Sequence, residues 1–148
     1  MSSPKNLKLM ETLNEEVRRF IAGAILFNLN VAAKVGLNGT DMQCLNLLLL
    51  QGSAKPGDFA RWASLTTGGV TVVLDRLEKA GYISREPNPH DRRSSIIRPV
   101  LAKFRKLQPH YQSKGEQLMG VLASYTEAEL KLILDFFTRT NRASADAE

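Results

Sequence analysis

Residues 64 to 98, SLTTGGVTVVLDRLEKAGYISREPNPHDRRSSIIR, carry in unbroken order a short helix, a turn and two strand-like runs with a basic loop between them. Val70, Val73, Leu74 and Leu77 recur at i, i+3, i+4 and i+7, the spacing of one apolar helix face. Gly68, Gly69, Thr71, Val72, Asp75, Arg76 and Lys79 lie away from that stripe. Thr66 or Thr67 caps the start, where the positive end of the helix dipole also favours a phosphate. Gly81 marks the C-terminal stop.

Upstream, Pro56 to Ala63 reads as a second short helix, with Pro56 suited to the first helical position and Asp58 in the first turn. Ser64-Leu65-Thr66 is about the length of the turn in a helix-turn-helix, although it lacks glycine. Downstream, Tyr82 to Arg85 and Ser94 to Arg98 have strand propensity. The run from Glu86 to Arg93, with two prolines and Asn88, predicts a protruding loop rather than a tight two-residue hairpin turn.

The run LTTGGVTVVLDRLEKAGYISR followed by NPHDRRSS resembles the winged helix-turn-helix of the MarR family of bacterial transcription regulators. The family's Asp-x-Arg wing signature is present as Asp91-Arg92-Arg93, and its conserved wing arginine corresponds to Arg93. The match covers roughly a quarter of the chain; the flanking helices agree in placement and character only. The resemblance implies a mainly α fold with a small β-wing, built as a winged helix-turn-helix DNA-binding domain over 40–100. Residues 1–36 and 101–142 would be a helical dimerisation region, and 143–148 a disordered tail. It also implies homodimers joined through the terminal helices and, in many members, repression relieved by a small, often aromatic or phenolic, effector. One departure stands out: the Leu-Thr that usually follows the second wing strand is Pro99-Val100 here, which removes a Thr cap and leaves the next helix start open. Pro99 cannot donate to a ladder, so the strand is expected to end before it.

A major groove accepts a helix, and Thr67 and Thr71 suit base edges or a thymine methyl, with Val72 making an apolar contact of the same kind. Gly68 and Gly69 together cost a helix about 1.5 to 2 kcal/mol relative to alanine. Close approach to a phosphate or base explains them, and a loose first turn is the alternative. Arg76 and Lys79, further along, suit phosphates. Arg92 and Arg93 suit a narrow minor groove. Asp91 is read as an orienting partner for Arg93 or Arg76 rather than a contact, with a solvated turn as the plain alternative for Asp91 and Arg92.

Charge follows the same segment. The 148 residues carry a net +5, but residues 51 to 110 hold eleven Lys and Arg against five Asp and Glu, a surplus of +6 that leaves −1 for the rest. A phosphate partner explains that distribution, as does an ordinary solvated basic face. No run approaches the ~18 apolar residues of a membrane span, and the first residues lack a signal peptide's apolar core, so a cytoplasmic location without membrane partners is expected.

The terminal helices suggest a second copy. Leu13, Val17, Phe20, Ala24, Phe27 and Val31 step by four and three, an a/d seam widened by Ile21 and Ile25. Near the other end Thr126 with Glu129 forms a capping box, and Leu130, Ile133, Leu134 and Phe137 make an apolar face. Intrachain packing competes with dimerisation as the explanation. A two-fold dimer would present two readers to successive major grooves, hence a palindromic operator on double-stranded DNA. Thr40 with Gln43 predicts the cap of a supporting helix ending before Gly52, and Pro109 is expected to kink or divide the helix over 101–123.

Other functions find less support. Cys44, the only cysteine, sits among Met42, Leu45, Leu47, Leu48 and Leu49, as a buried inert thiol would, with a redox-sensing regulator as the minor alternative. His90 and His110 have no nucleophile partner by any motif, and no phosphate loop, metal-ligand pattern or paired carboxylate motif occurs, so no enzyme, metal or cofactor is expected. A winged-helix module that meets a protein through Trp62 and the basic face, without specific DNA binding, is the remaining rival. Tyr111, Trp62, Phe20 and Phe27 suit an effector pocket but suit a core equally.

Overall fold

In the computed structural model, which describes residues 3–146, every helix but the one that follows Val100 begins where a side chain can accept the free N–H groups of its first turn or where proline has none to offer. Ser3 caps α1 (Pro4–Lys34), its Oγ accepting from Asn6 N at 3.3 Å. Asn38 caps α2 (Gly39–Gln51) in a reciprocal box: its Oδ1 accepts from Asp41 N at 2.8 Å while Asp41 Oδ2 accepts from Asn38 N at 3.4 Å. The cap expected at Thr40 and Gln43 thus lies two residues earlier, because Asn is an equal or better N-cap than Thr and Asp41 stands three residues after it. Pro56 opens α3 (Pro56–Ala63). Thr66, rather than Thr67, caps α4 (Thr67–Lys79), its Oγ1 accepting from Gly69 N at 3.1 Å.

The turn between α3 and α4 needs a left-handed residue, and Ser64 supplies it at φ 50° in place of the usual glycine. At the far end of α4, Gly81 takes φ 85°. There the N–H of Tyr82 donates to Leu77 O and that of Gly81 to Glu78 O, both at 3.0 Å, so the last carbonyls are satisfied and the chain turns into the wing.

The wing is an antiparallel pair, β1 (Ile83–Asn88) and β2 (Asp91–Pro99). Both strands run further than expected. Asn88 pairs with Asp91, so only Pro89-His90 connects them, where a long loop was predicted. The tip closes because Asn88, buried, folds its side chain back to accept from His90 N at 3.0 Å. Pro99 is likewise inside β2, paired with Ile83. Ile97 exchanges both backbone bonds with Ala54, at 2.7 and 2.9 Å, on the side away from β1. Pro99, two residues on, turns its nitrogen to that same side, so its missing donor costs the β1–β2 ladder nothing.

After Val100, α5 (Leu101–Leu122) runs unbroken through Pro109. Of the kink or division expected at Pro109, the division does not occur: the proline removes one donor, from the carbonyl of Arg105, and the helix continues on both sides. The last helix, α6 (Glu127–Asp146), starts from the capping box expected at Thr126 and Glu129. It extends to Asp146, through residues expected as a disordered tail; Ala143 and Ala145 are strong helix formers, and Ser144 Oγ bonds back to Thr140 O at 3.1 Å. Residues 147 and 148 of that tail lie outside the described residues.

One core joins the reader to the ends of the long helices. Val31 and Ala32 of α1, Met42, Leu45 and Leu48 of α2, Phe59 of α3, the α4 stripe, Tyr82, Ile83, Ile97 and Leu107 of α5 are all buried. The α1 seam enters that core only at its C-terminal end. Val31 is buried and Phe27 and Ala24 are half-buried, but Leu13 and Phe20 are exposed. No described residue of α6 is buried. The helical arms therefore carry apolar faces that this chain alone leaves open.

Candidate nucleic-acid interface

Burying Val70, Val73, Leu74 and Leu77 turns the opposite face of α4 outward. Thr67, Gly68, Thr71, Val72, Asp75 and Lys79 all lie on that exposed face, and Thr66 beside it is exposed as well. Val72 is an apolar β-branched side chain that is 58% exposed. Thr71 Oγ1 donates to Thr67 O at 3.2 Å, which engages its proton and leaves the oxygen able to accept.

The two glycines differ. Around Gly68 a Cβ would meet nothing within 4 Å, and at Gly69, which is half-buried, it would meet Thr66 Oγ1 and Leu65 only at ordinary contact distance. Neither has a positive φ. The fold itself therefore does not require glycine at either position.

In the wing, Pro87 pairs with Ser95 but Asn88 with Asp91, so Arg92, Arg93 and Ser94 have no partner in the ladder and bulge from β2. Arg92 and Arg93 are exposed there. Asp91 Oδ1 accepts from the backbone N–H of Arg93 at 2.9 Å, so it shapes the bulge through the main chain. Of the two orienting roles expected for Asp91, the Arg76 one is excluded: Arg76 gives Nε and Nη2 to the carboxylate of Asp41, at 2.9 and 2.8 Å. Arg76, expected to suit phosphate, is engaged by that pair while its side chain stays 42% exposed.

Sequence reasoning missed Asp41, and its signal was the Asn38-x-x-Asp41 cap pattern. It also missed Arg85, which joins β1 to α4 through Asp75. Nothing local in the sequence announces that contact, since it depends on how the hairpin folds back against the helix.

Clefts open between the helices. One of about 550 Å³ lies between α1 and α5, lined by Phe20, Phe27, Asn28, Tyr111 and Lys114 among others. Phe27 and Tyr111 pack edge to face at 5.4 Å, and Tyr111 Oη donates to Asn28 Oδ1 at 3.0 Å. A second, of about 350 Å³, lies beside Trp62 and Cys44. Cys44 is buried, and burial pushes its thiol up to about 11, with the Asp41 carboxylate adding to the rise. That is the opposite of the lowered value a reactive thiol needs. No three His, Cys, Asp or Glu side chains among the described residues come together as a metal site requires.

A two-helix reader with an exposed recognition face and a basic two-stranded wing defines the chain as a winged helix-turn-helix protein. Residues 37–95 match the MarR family. The HTH-type transcriptional regulator YcgE of Bacillus subtilis is 35% identical over 129 residues, 87% of this chain and 84% of its own length. The fold is similar to that of the transcriptional regulator Tm0710 from Thermotoga maritima, with TM-score 0.65 at 17% identity over 90% of this chain and 94% of that one. It is also similar to a mutant MarR from E. coli complexed with operator DNA, with TM-score 0.56 at 18% identity over 94% and 99% of the two chains. The chain belongs to the MarR family and is a transcription regulator rather than an enzyme. Among the described residues no single helix is long and apolar enough to cross a membrane.

Proposed function

We propose that the protein is a sequence-specific DNA-binding repressor, acting in the cytoplasm as a homodimer on a palindromic operator and released by a small aromatic effector. The observation that carries the DNA reading is the outer face of α4: Thr67, Gly68, Thr71 and Val72 are exposed together, over a stripe fully buried behind them. Thr67 and Thr71 present hydroxyls and methyls to base edges, and Gly68 and Gly69 let the helix start come close to the duplex. Lys79 faces phosphate, and Arg92 and Arg93 enter the adjacent minor groove. That the similar MarR structure is complexed with operator DNA supports the DNA reading.

Dimerisation is supported by the apolar faces the arms leave open: Leu13 and Phe20 on α1, Leu134 and Phe137 on α6, with Val17, Leu130 and Ile133 half-buried beside them. The effector is supported by the cleft between α1 and α5, where aromatic rings stand beside the ammonium of Lys114. Its binding would release DNA only if affinity differs between the bound and free conformations.

The test is selection of duplexes from a random pool and from fragmented genomic DNA by the purified protein. The expected product is a two-fold symmetric site bound with log affinity falling linearly in log salt. Recovery of no enriched sequence would favour a protein-interaction module instead.

A further inference from the structure

Neighbouring residues of α4, Asp75 and Arg76, project about 100° apart around the helix, and each is tied to a different element. On one side Arg76 makes the two-pronged pair with Asp41, whose side chain is 1% exposed. Asp41 is itself held by the α2 cap, its Oδ2 accepting from Asn38 N. On the other side Arg85 of β1 pairs with Asp75, and its buried Nε stands 3.5 Å from Glu78 Oε2. The recognition helix is thus gripped by α2 on one flank and by the wing on the other.

A guanidinium that engages a carboxylate with two parallel bonds has a set plane and direction, which a single point charge lacks. Such a pair fixes the roll of α4 about its own axis, and roll decides which side chains enter a groove. Arg76 is also not free to leave. Moving its guanidinium to a phosphate would strand the Asp41 carboxylate in the core without its counter-charge. We propose that Arg76 is a positioning residue, which together with Asp41, and opposite Arg85, locks the roll of the recognition helix and neutralises no phosphate. The inference rests on the DNA-binding reading above and removes one of the basic residues that reading would otherwise assign to the DNA backbone.

Three full-length proteins test it: wild type, Arg76→Gln and Asp41→Asn. The Asp41→Asn variant keeps an amide oxygen for the Asn38 N–H but loses the charge that holds Arg76. Each is titrated, over a salt series, with the duplex enriched by wild-type selection and with a scrambled duplex of the same length. Arg76→Gln is expected to keep the wild-type slope of log affinity against log salt, while its preference for the selected duplex falls about tenfold, as for one mismatched base pair. Asp41→Asn is expected to lose a similar share of preference with undiminished affinity for the scrambled duplex, because Arg76 is released.

Partial unfolding removes active protein from both duplexes alike, so the preference reports aim rather than stability. A slope flattened by about 0.9 for each lost phosphate contact in Arg76→Gln would overturn the proposal. So would an unchanged preference in both variants. Wild-type protein that selects no duplex would overturn the DNA reading itself, and the purpose of the clamp with it.

Discussion

Gly68 occupies the second helical position of α4 with open space around it, so an alanine there fits the fold and lowers the entropy of the unfolded chain. Gly68→Ala is expected to raise stability by about 0.5 to 1 kcal/mol and at the same time to weaken duplex binding; gains in both thermal stability and affinity would refute close approach at this residue. Arg93 makes the complementary case. Its side chain is exposed and its backbone is held by Asp91, so Arg93→Ala is expected to weaken binding to a selected duplex by about 1 to 3 kcal/mol with no change in melting temperature. Unchanged affinity at fixed salt would end the wing assignment. Cys44 tests burial directly. Folding lifts its thiol from 9.0 to about 11, so its contribution to stability is full below pH 9 and is lost as the pH rises through about 11. Stability should therefore fall more steeply over that range in the wild type than in Cys44→Ala, and native Cys44 should resist Ellman's reagent until the chain unfolds. Rapid native labelling would restore the redox reading.

At the scale of elements, the wing is a two-stranded hairpin that would be marginal alone, and three attachments steady it. Ala54 adds a short bridge to Ile97, Arg85 ties β1 to α4, and the buried Asn88 closes the tip. Asn88→Ala removes the acceptor for His90 N–H and is expected to cost about 1 kcal/mol, felt locally. Hydrogen exchange should quicken at the tip and in the Arg92–Ser94 bulge while the α2 and α4 amides keep their protection. Exchange that quickened across α4 as well would show the wing and reader opening as one unit.

At the scale of the molecule, the arms decide whether one reader or two meet the DNA. α1 spans 31 residues, about 46 Å at 1.5 Å per residue, and in its N-terminal half every residue but the half-buried Val17 is exposed among the described residues. Leu134 is 66% exposed on α6 and Phe20 57% on α1. The double variant Leu134→Glu with Phe137→Glu is expected to sediment as a monomer and to lose at least about 100-fold in operator affinity, the benefit of linked half-sites. A variant that stays dimeric would move the interface elsewhere, and a wild type that sediments as a monomer would remove it.

Local sequence determined the reader's helices far better than its wing. The α4 stripe, the Thr126 box, the Gly81 stop and the start of α3 at Pro56 were all legible, because periodicity, caps and prolines act over a few residues. The exposed recognition face follows from the buried one. What sequence alone misplaced involved competition or distance. Two cap patterns overlapped at residues 38–43, and Asn38 with Asp41 won because they close a reciprocal box. Pro99 stayed in its strand because Ile97 had already turned to Ala54, a partner 43 positions earlier in the chain. Only the tertiary structure joined Arg76 to Asp41, since the carboxylate lies 35 residues away and the cap pattern that marks Asp41 says nothing of its partner. A charge's role is set by what it meets across the fold, and that meeting is decided by packing.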